Sequence, residues 1–240
     1  MFCICDDDNY LWIGGINGLN RFDKTTEEFK VYKFIHDGKS SLLNNYVISI
    51  IVSNDKELWI VTIGGLIKYD RKNDKFINYN SDSEGFDNPR TLFKDKDNDL
   101  WIGTWWSGVY KYNQDTKKFT HYQFSPIDPN SLSSDRISSI LEDNNGDIWI
   151  ATADSGINKL DKIKEEFHRF KYDSLKSNSL IGDQVSTMSK GLEGLLWIAT
   201  SEGISIIDPV NNVFTNIEKK EYPALSDINV IYTDEMGIVW

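Results

Sequence analysis

The sequence predicts an all-β chain in which a four-stranded unit repeats along the whole length. Three observations predict it. Tryptophan recurs behind an aliphatic residue at Trp12, Trp59, Trp101, Trp149, Trp197 and Trp240, at intervals of 47, 42, 48, 48 and 43 residues. Short apolar runs alternate with Gly- and Asn/Asp-bearing turns, the pattern of strands joined by hairpins. No window sustains the 3.6-residue apolar period of a helix.

The fourth repeat shows why each element forms. Residues 137–142 (ISSILE) make strand A. Asn145-Gly146 then supplies turn chemistry, because Gly takes positive φ without steric cost. Strand B, 147–152 (DIWIAT), alternates polar, apolar, aromatic and small residues. Ser155-Gly156 turns the chain into strand C, 156–160, and Asp161 opens the next turn. Strand D, 166–171, carries Phe167 and Phe170.

The same columns recur in the other repeats. Six positions before the Trp stand Asp6, Ser53, Asp95, Asp143, Gly191 and Asp234. Three before it, where a turn is expected, stand Asn9, Lys56, Asn98, Gly146, Gly194 and Gly237. Downstream come Gly18, Gly65, Gly108, Gly156 and Gly203, then a polar turn residue (Asp23, Asp70, Asn113, Asp161, Asp208).

A repeated four-stranded unit of about 40–50 residues indicates a β-propeller, one repeat to a blade. A blade cannot bury both faces by itself, so the tryptophans are expected to wedge between blades. The repeats run approximately 1–46, 47–88, 89–136, 137–184 and 185–227, and 228–240 begins another. Both ends fall inside a repeat, so the expectation is about five blades of a larger propeller.

Composition bounds the function. With 26 Lys+Arg against 37 Asp+Glu the net charge is −11, which argues against nucleic acid or an anionic membrane as partner. No apolar run approaches 18 residues, so no membrane insertion by this segment is expected. Met1-Phe2-Cys3-Ile4-Cys5 lacks the basic start and apolar region of a secretory signal. Cys3 and Cys5, two apart on one strand, read as small apolar residues and not as a pair or a metal site.

Catalysis has little support. His36, His121 and His168 fall in a loop and two outer strands, with neither metal-ligand spacing nor a Ser-His-Asp set. Asp95-Lys96-Asp97-Asn98-Asp99 alternates like a calcium loop but lacks the downstream Gly and Glu such a loop needs. No catalytic residue, metal or cofactor is implied.

The columns resemble the two-component regulator propeller repeat. Asp143-Asn144-Asn145-Gly146-Asp147-Ile148-Trp149-Ile150-Ala151-Thr152 and Leu100-Trp101-Ile102-Gly103-Thr104 carry the resemblance, which extends over essentially the whole chain. Departures are local: Ser53, Lys56 and Val61 in the second repeat, and Gly15 in place of Thr in the first. The resemblance implies the periplasmic sensor part of an inner-membrane, Bacteroides-type hybrid two-component histidine kinase. Such sensors contain seven-bladed propellers, and many are thought to sense glycan breakdown products. It implies as partners an oligosaccharide, the remaining blades and the kinase-linked domains, and it leaves room for a homodimer.

A ligand is expected on the face that gathers the D–A and B–C loops. The D–A loops, 36–45, 80–88, 123–136, 172–184 and 217–227, read as long and varied, which is where recognition is usually placed. Fourteen residues before each Trp stand Asn45, Asp87, Asp135, Asp183 and Ser226, read mainly as caps of the inner strand. Thirteen before stand Tyr46, Asn88, Arg136, Gln184 and Asp227, the candidate ligand contacts. Trp105-Trp106 in one B–C loop breaks the pattern, and could stack on a sugar ring or pack on a partner domain.

Three classes therefore compete: a ligand-sensing module, a protein-interaction scaffold, and a propeller enzyme such as a lyase or glycosidase.

Overall fold

A computed structural model describes residues 3–35, 41–53, 56–80, 86, 88–222, 225, 228–234 and 236–240. Its five antiparallel sheets each have four strands in sequence order, as the repeat predicts. The first is β1 (Cys3–Asp7), β2 (Tyr10–Gly15), β3 (Gly18–Asp23) and β4 (Phe29–Tyr32). The second is β5 (Val47–Val52), β6 (Leu58–Thr62), β7 (Gly65–Asp70) and β8 (Lys75–Asn80). The third is β9 (Pro89–Lys94), β10 (Leu100–Thr104), β11 (Val109–Asn113) and β12 (Lys118–Tyr122). The fourth is β13 (Ile137–Glu142), β14 (Ile148–Thr152), β15 (Ile157–Asp161) and β16 (Glu166–Phe170). The fifth is β17 (Val185–Lys190), β18 (Leu196–Thr200), β19 (Gly203–Asp208) and β20 (Val213–Glu218).

The chain divides into two compact units, Met1–Thr120 and His121–Trp240. Within the first, the A strands β1, β5 and β9 are successive neighbours. Within the second, β13 lies beside β17. The B strands β6, β10 and β14 are buried at every position.

The wedge expected of the tryptophans is present at Trp12 and Trp59, whereas Trp197 is half-buried and Trp240 exposed. Trp12 is buried among Val47, Ile50, Leu58 and Tyr69 of the second sheet. Trp59 is likewise buried among Leu92, Leu100 and Tyr112 of the third, with Tyr112 at 5.4 Å. Asp74 ties the first two sheets through Tyr32 (3.0 Å) and Tyr69 (2.5 Å) and pairs with Lys30. Burial opposes its ionisation, yet those three partners hold the carboxyl at about 2. Cys3 and Cys5 are half-buried against the same core, and burial pushes the Cys3 thiol up to about 11.

The Asp column has a structural purpose that its position alone did not reveal. The indole Nε1 of Trp101 donates to Asp95 Oδ2 at 2.8 Å, and that of Trp149 to Asp143 Oδ2 at 2.9 Å. The other oxygen of each Asp caps its A–B turn, as in Asp99 N to Asp95 Oδ1 (2.8 Å). In the first repeat the acceptor is Asp7, not Asp6, because β1 and β2 join through the two residues Asp8 and Asn9.

The second repeat lacks this acceptor. Ser53 Oγ still takes the Glu57 N–H (3.2 Å), but among the described residues the buried Trp59 Nε1 has no partner. Ser53→Asp is therefore expected to raise stability by about 1 kcal/mol, since an unmade buried donor costs that order. Its urea midpoint would move upward; an unchanged or lower midpoint would show that burying the new charge outweighs the bond.

Candidate functional site

Side-chain caps build the loop face. Asn45 Oδ1, Asp135 Oδ1 and Asp183 Oδ1 accept the N–H of Phe34, Phe124 and Tyr172 at 2.8, 2.7 and 2.7 Å. The column was expected to cap the entry of the inner strand; these bonds instead hold the start of the D–A loop, eleven residues back. Asp87 and Ser226 lie outside the described residues.

The D–A loops are less varied than they read. Ser41, Ser131 and Ser179 each accept the N–H six residues back, from Ile35, Ser125 and Asp173. Each is followed by a fully buried leucine, Leu42, Leu132 or Leu180. A side chain of the following D strand then grips the serine carbonyl: Asn78 (3.1 Å), Arg169 (2.9 Å) and Asn216 (3.0 Å). These three loops thus share one fixed lock. The signal was present as Ser-Leu eighteen residues before Trp59, Trp149 and Trp197.

The structure places the candidate contacts beside the B–C loops. The carbonyls of Tyr46, Asn88, Arg136 and Gln184 accept N–H bonds from Ile63, Trp105, Ala153 and Ser201 at 3.2, 3.0, 2.8 and 3.1 Å. In the second to fifth blades one backbone bond therefore joins the candidate contact to its B–C loop, and in the third blade it joins Asn88 to Trp105. Arg136 also pairs with Asp154 at 3.3 Å. Trp105 is half-buried and Trp106 exposed, their rings edge-on at 6.2 Å. Asp227 lies outside the described residues, as does His36. His121 and His168 sit on β12 and β16, the outer strands of their sheets.

In the second unit these loops enclose an open depression of about 960 Å³. Gln184, Tyr172, Asp154, Glu202 and Lys219 are among its lining residues. Its lining combines apolar area with groups of both charges: Lys219 Nζ reaches Ser201 O at 3.4 Å, and Lys220 pairs with Glu218. Apolar area interspersed with donors and acceptors suits a ligand that is itself amphipathic, such as a sugar with C–H faces and hydroxyl edges.

One residue that sequence reading passed over stands beside the B–C loop of the third blade. In the second to fifth sheets strand A is bulged, and the bulged residues are Ile48, Arg90, Ser138 and Ser186. Arg90 is the charged one. It stands eleven residues before Trp101, and only that break in its column marked it.

Sheets and loop face together define a β-propeller built from tandem four-stranded repeats. Two stretches, residues 83–106 and 131–154, match the family model of the two component regulator propeller. The fold is similar to the extracellular domain of a hybrid two component system from B. thetaiotaomicron. There the TM-score is 0.75 at 24% identity, over 99% of this chain and 31% of that one. It is similar also to PorZ, a surface component of the type-IX secretion system of Porphyromonas gingivalis (TM-score 0.73, 14% identity, 97% and 36% covered). Virginiamycin B lyase from Staphylococcus aureus is a third (TM-score 0.66, 17% identity, 90% and 68% covered). The chain spans about a third of the length of the first two. At these identities the likeness is one of fold. No protein of curated function matches the sequence. No helix among the described residues is long and apolar enough to cross a membrane.

Proposed function

We propose that this chain is an extracytoplasmic ligand-sensing module of a two-component signalling protein, that it recognises an oligosaccharide, and that binding regulates a histidine kinase. The observation that carries this reading is the repeat itself, matched in two stretches by the regulator-propeller family model. The likeness to the extracellular domain of a hybrid two component system supports it at the level of fold. Each unit offers fitting chemistry of its own: a loop-lined depression with charged and polar groups in the second, and the exposed Trp106 in the first. A ligand there shifts the kinase through its differential affinity for two arrangements of the propeller and the domains beside it.

The enzyme reading draws on the lyase fold likeness. Fold alone assigns no activity, because unrelated chemistries share propellers.

Thermal unfolding against a panel of neutral and acidic oligosaccharides tests the proposal. At a ligand concentration 100 times Kd, stabilisation is about 2.7 kcal/mol, an upward shift of roughly 5–10 °C in Tm. The ligand is expected back unchanged by mass spectrometry. Turnover of the bound glycan would establish the enzyme reading instead, and a panel without any shift would remove the sensor reading of this segment.

A further inference from the structure

The third blade differs from the others at one point of the loop face, and its differences converge. A β-bulge leaves its extra residue unpaired and re-aims the side chain. In the third blade that residue is Arg90, exposed, with its guanidinium carbon 5.2 Å from the Trp105 ring centroid. Among the described residues Arg90 makes no hydrogen bond or ion pair, although the chain has 11 more carboxylates than cations (37 − 26). Trp106, 55% exposed, stands nearly perpendicular to Trp105. Asn88, at a left-handed φ of 53°, fixes Trp105 by accepting its backbone N–H.

The chemistry of these groups is complementary to one kind of ligand. Stacking on an indole engages the guanidinium face and leaves its five N–H donors in the plane. That planar fork matches a carboxylate bidentately. An exposed indole beside it offers apolar area to the C–H face of a pyranose. Long-range attraction would not draw an anion to a chain of this charge, so selection has to come from direct contact.

We propose that Arg90, Trp105 and Trp106 form a subsite for a uronic acid residue: Arg90 binds the carboxylate, Trp106 carries the sugar ring, and Trp105 orients Arg90. The proposal rests on the oligosaccharide-sensing reading and narrows it to acidic glycans.

Isothermal titration of the 240-residue protein tests it. The probes are galacturonate and glucuronate oligosaccharides and their carboxyl-reduced, neutral counterparts. Reduction of the carboxyl is expected to weaken binding roughly 10- to 100-fold, and Arg90→Gln to impose the same loss on the uronate while leaving the neutral sugar unaffected. Arg90→Lys keeps the charge without the fork and should recover only part of the affinity. Trp106→Ala should weaken acidic and neutral forms alike, by roughly 3- to 10-fold. Unchanged unfolding midpoints confirm that each variant is folded. Equal binding of acidic and neutral forms, indifferent to Arg90→Gln, overturns the subsite and leaves the oligosaccharide reading standing. Binding of neither class overturns both. Arg90-dependent binding of an oligoglutamate peptide, with no uronate bound, replaces the sugar by an acidic peptide and also overturns the proposal.

Discussion

Trp149→Ala is expected to lower the stability of the His121–Trp240 unit by about 3–5 kcal/mol, the range for truncating a large buried aromatic. The indole is 0% exposed and stacks on Phe170 at 5.4 Å and 29°. Its neighbours cannot close the resulting hole. Ile148 and Ile150 are paired to β13 on one side and β15 on the other, so β14 cannot shift toward the cavity without breaking both ladders. The loss also strands Asp143 Oδ2, whose proton donor was the indole. In urea the midpoint of that unit should fall by roughly 1–5 M, given a slope of about 1–3 kcal/mol per molar. Trp106→Ala serves as the contrast: at an exposed site the change should stay within about 0.5 kcal/mol. Equal effects from the two would mean that Trp149 is not the wedge its burial makes it.

Much of this was legible in the sequence because repetition makes each column a replicate. The turn glycines are one case: Gly18, Gly65, Gly108, Gly156 and Gly203 all take positive φ, from 69° to 138°. At Gly156 a Cβ would lie 2.3 Å from the Phe170 carbonyl, so no larger residue closes that hairpin. Strand bounds were right to within a residue: β14 begins at Ile148, not Asp147, and β16 ends at Phe170, not Lys171.

What escaped was information that repetition does not display. A bulge shifts register by one residue, and a register shift leaves no residue type behind it, so Arg90 looked like any strand residue. Column counting tied Asp6 to Trp12, because fixed spacing cannot see that one hairpin turn is shorter than its equivalents. Three of the D–A loops looked varied because they share only a serine, the leucine after it and an Asn or Asp four residues after the serine. The remaining residues differ freely, since Ser41, Ser131 and Ser179 already hold the backbone.

Asp143→Ala is expected to cost about 2–4 kcal/mol without removing any apolar volume. One buried carboxylate serves three donors: Asn145 N at 2.9 Å, Asp147 N at 3.0 Å and Trp149 Nε1 at 2.9 Å. Alanine leaves all three, and a buried donor without an acceptor costs about 1–3 kcal/mol, less where water reaches the turn. Asp143→Asn retains one oxygen, which can hold the turn or the indole but not both, so roughly half the loss should return. The two large effects are not independent. Once Trp149 is alanine, Asp143 has only the turn to hold, and its own replacement should cost less than it does beside the intact indole. A double-mutant cycle over Asp143→Ala and Trp149→Ala should therefore show a coupling of about 1–2 kcal/mol. Additivity within about 0.5 kcal/mol would mean that the carboxylate acts on the hairpin alone. In that case the unpartnered Trp59 indole would be a harmless feature of the second repeat, and Ser53→Asp should stabilise nothing.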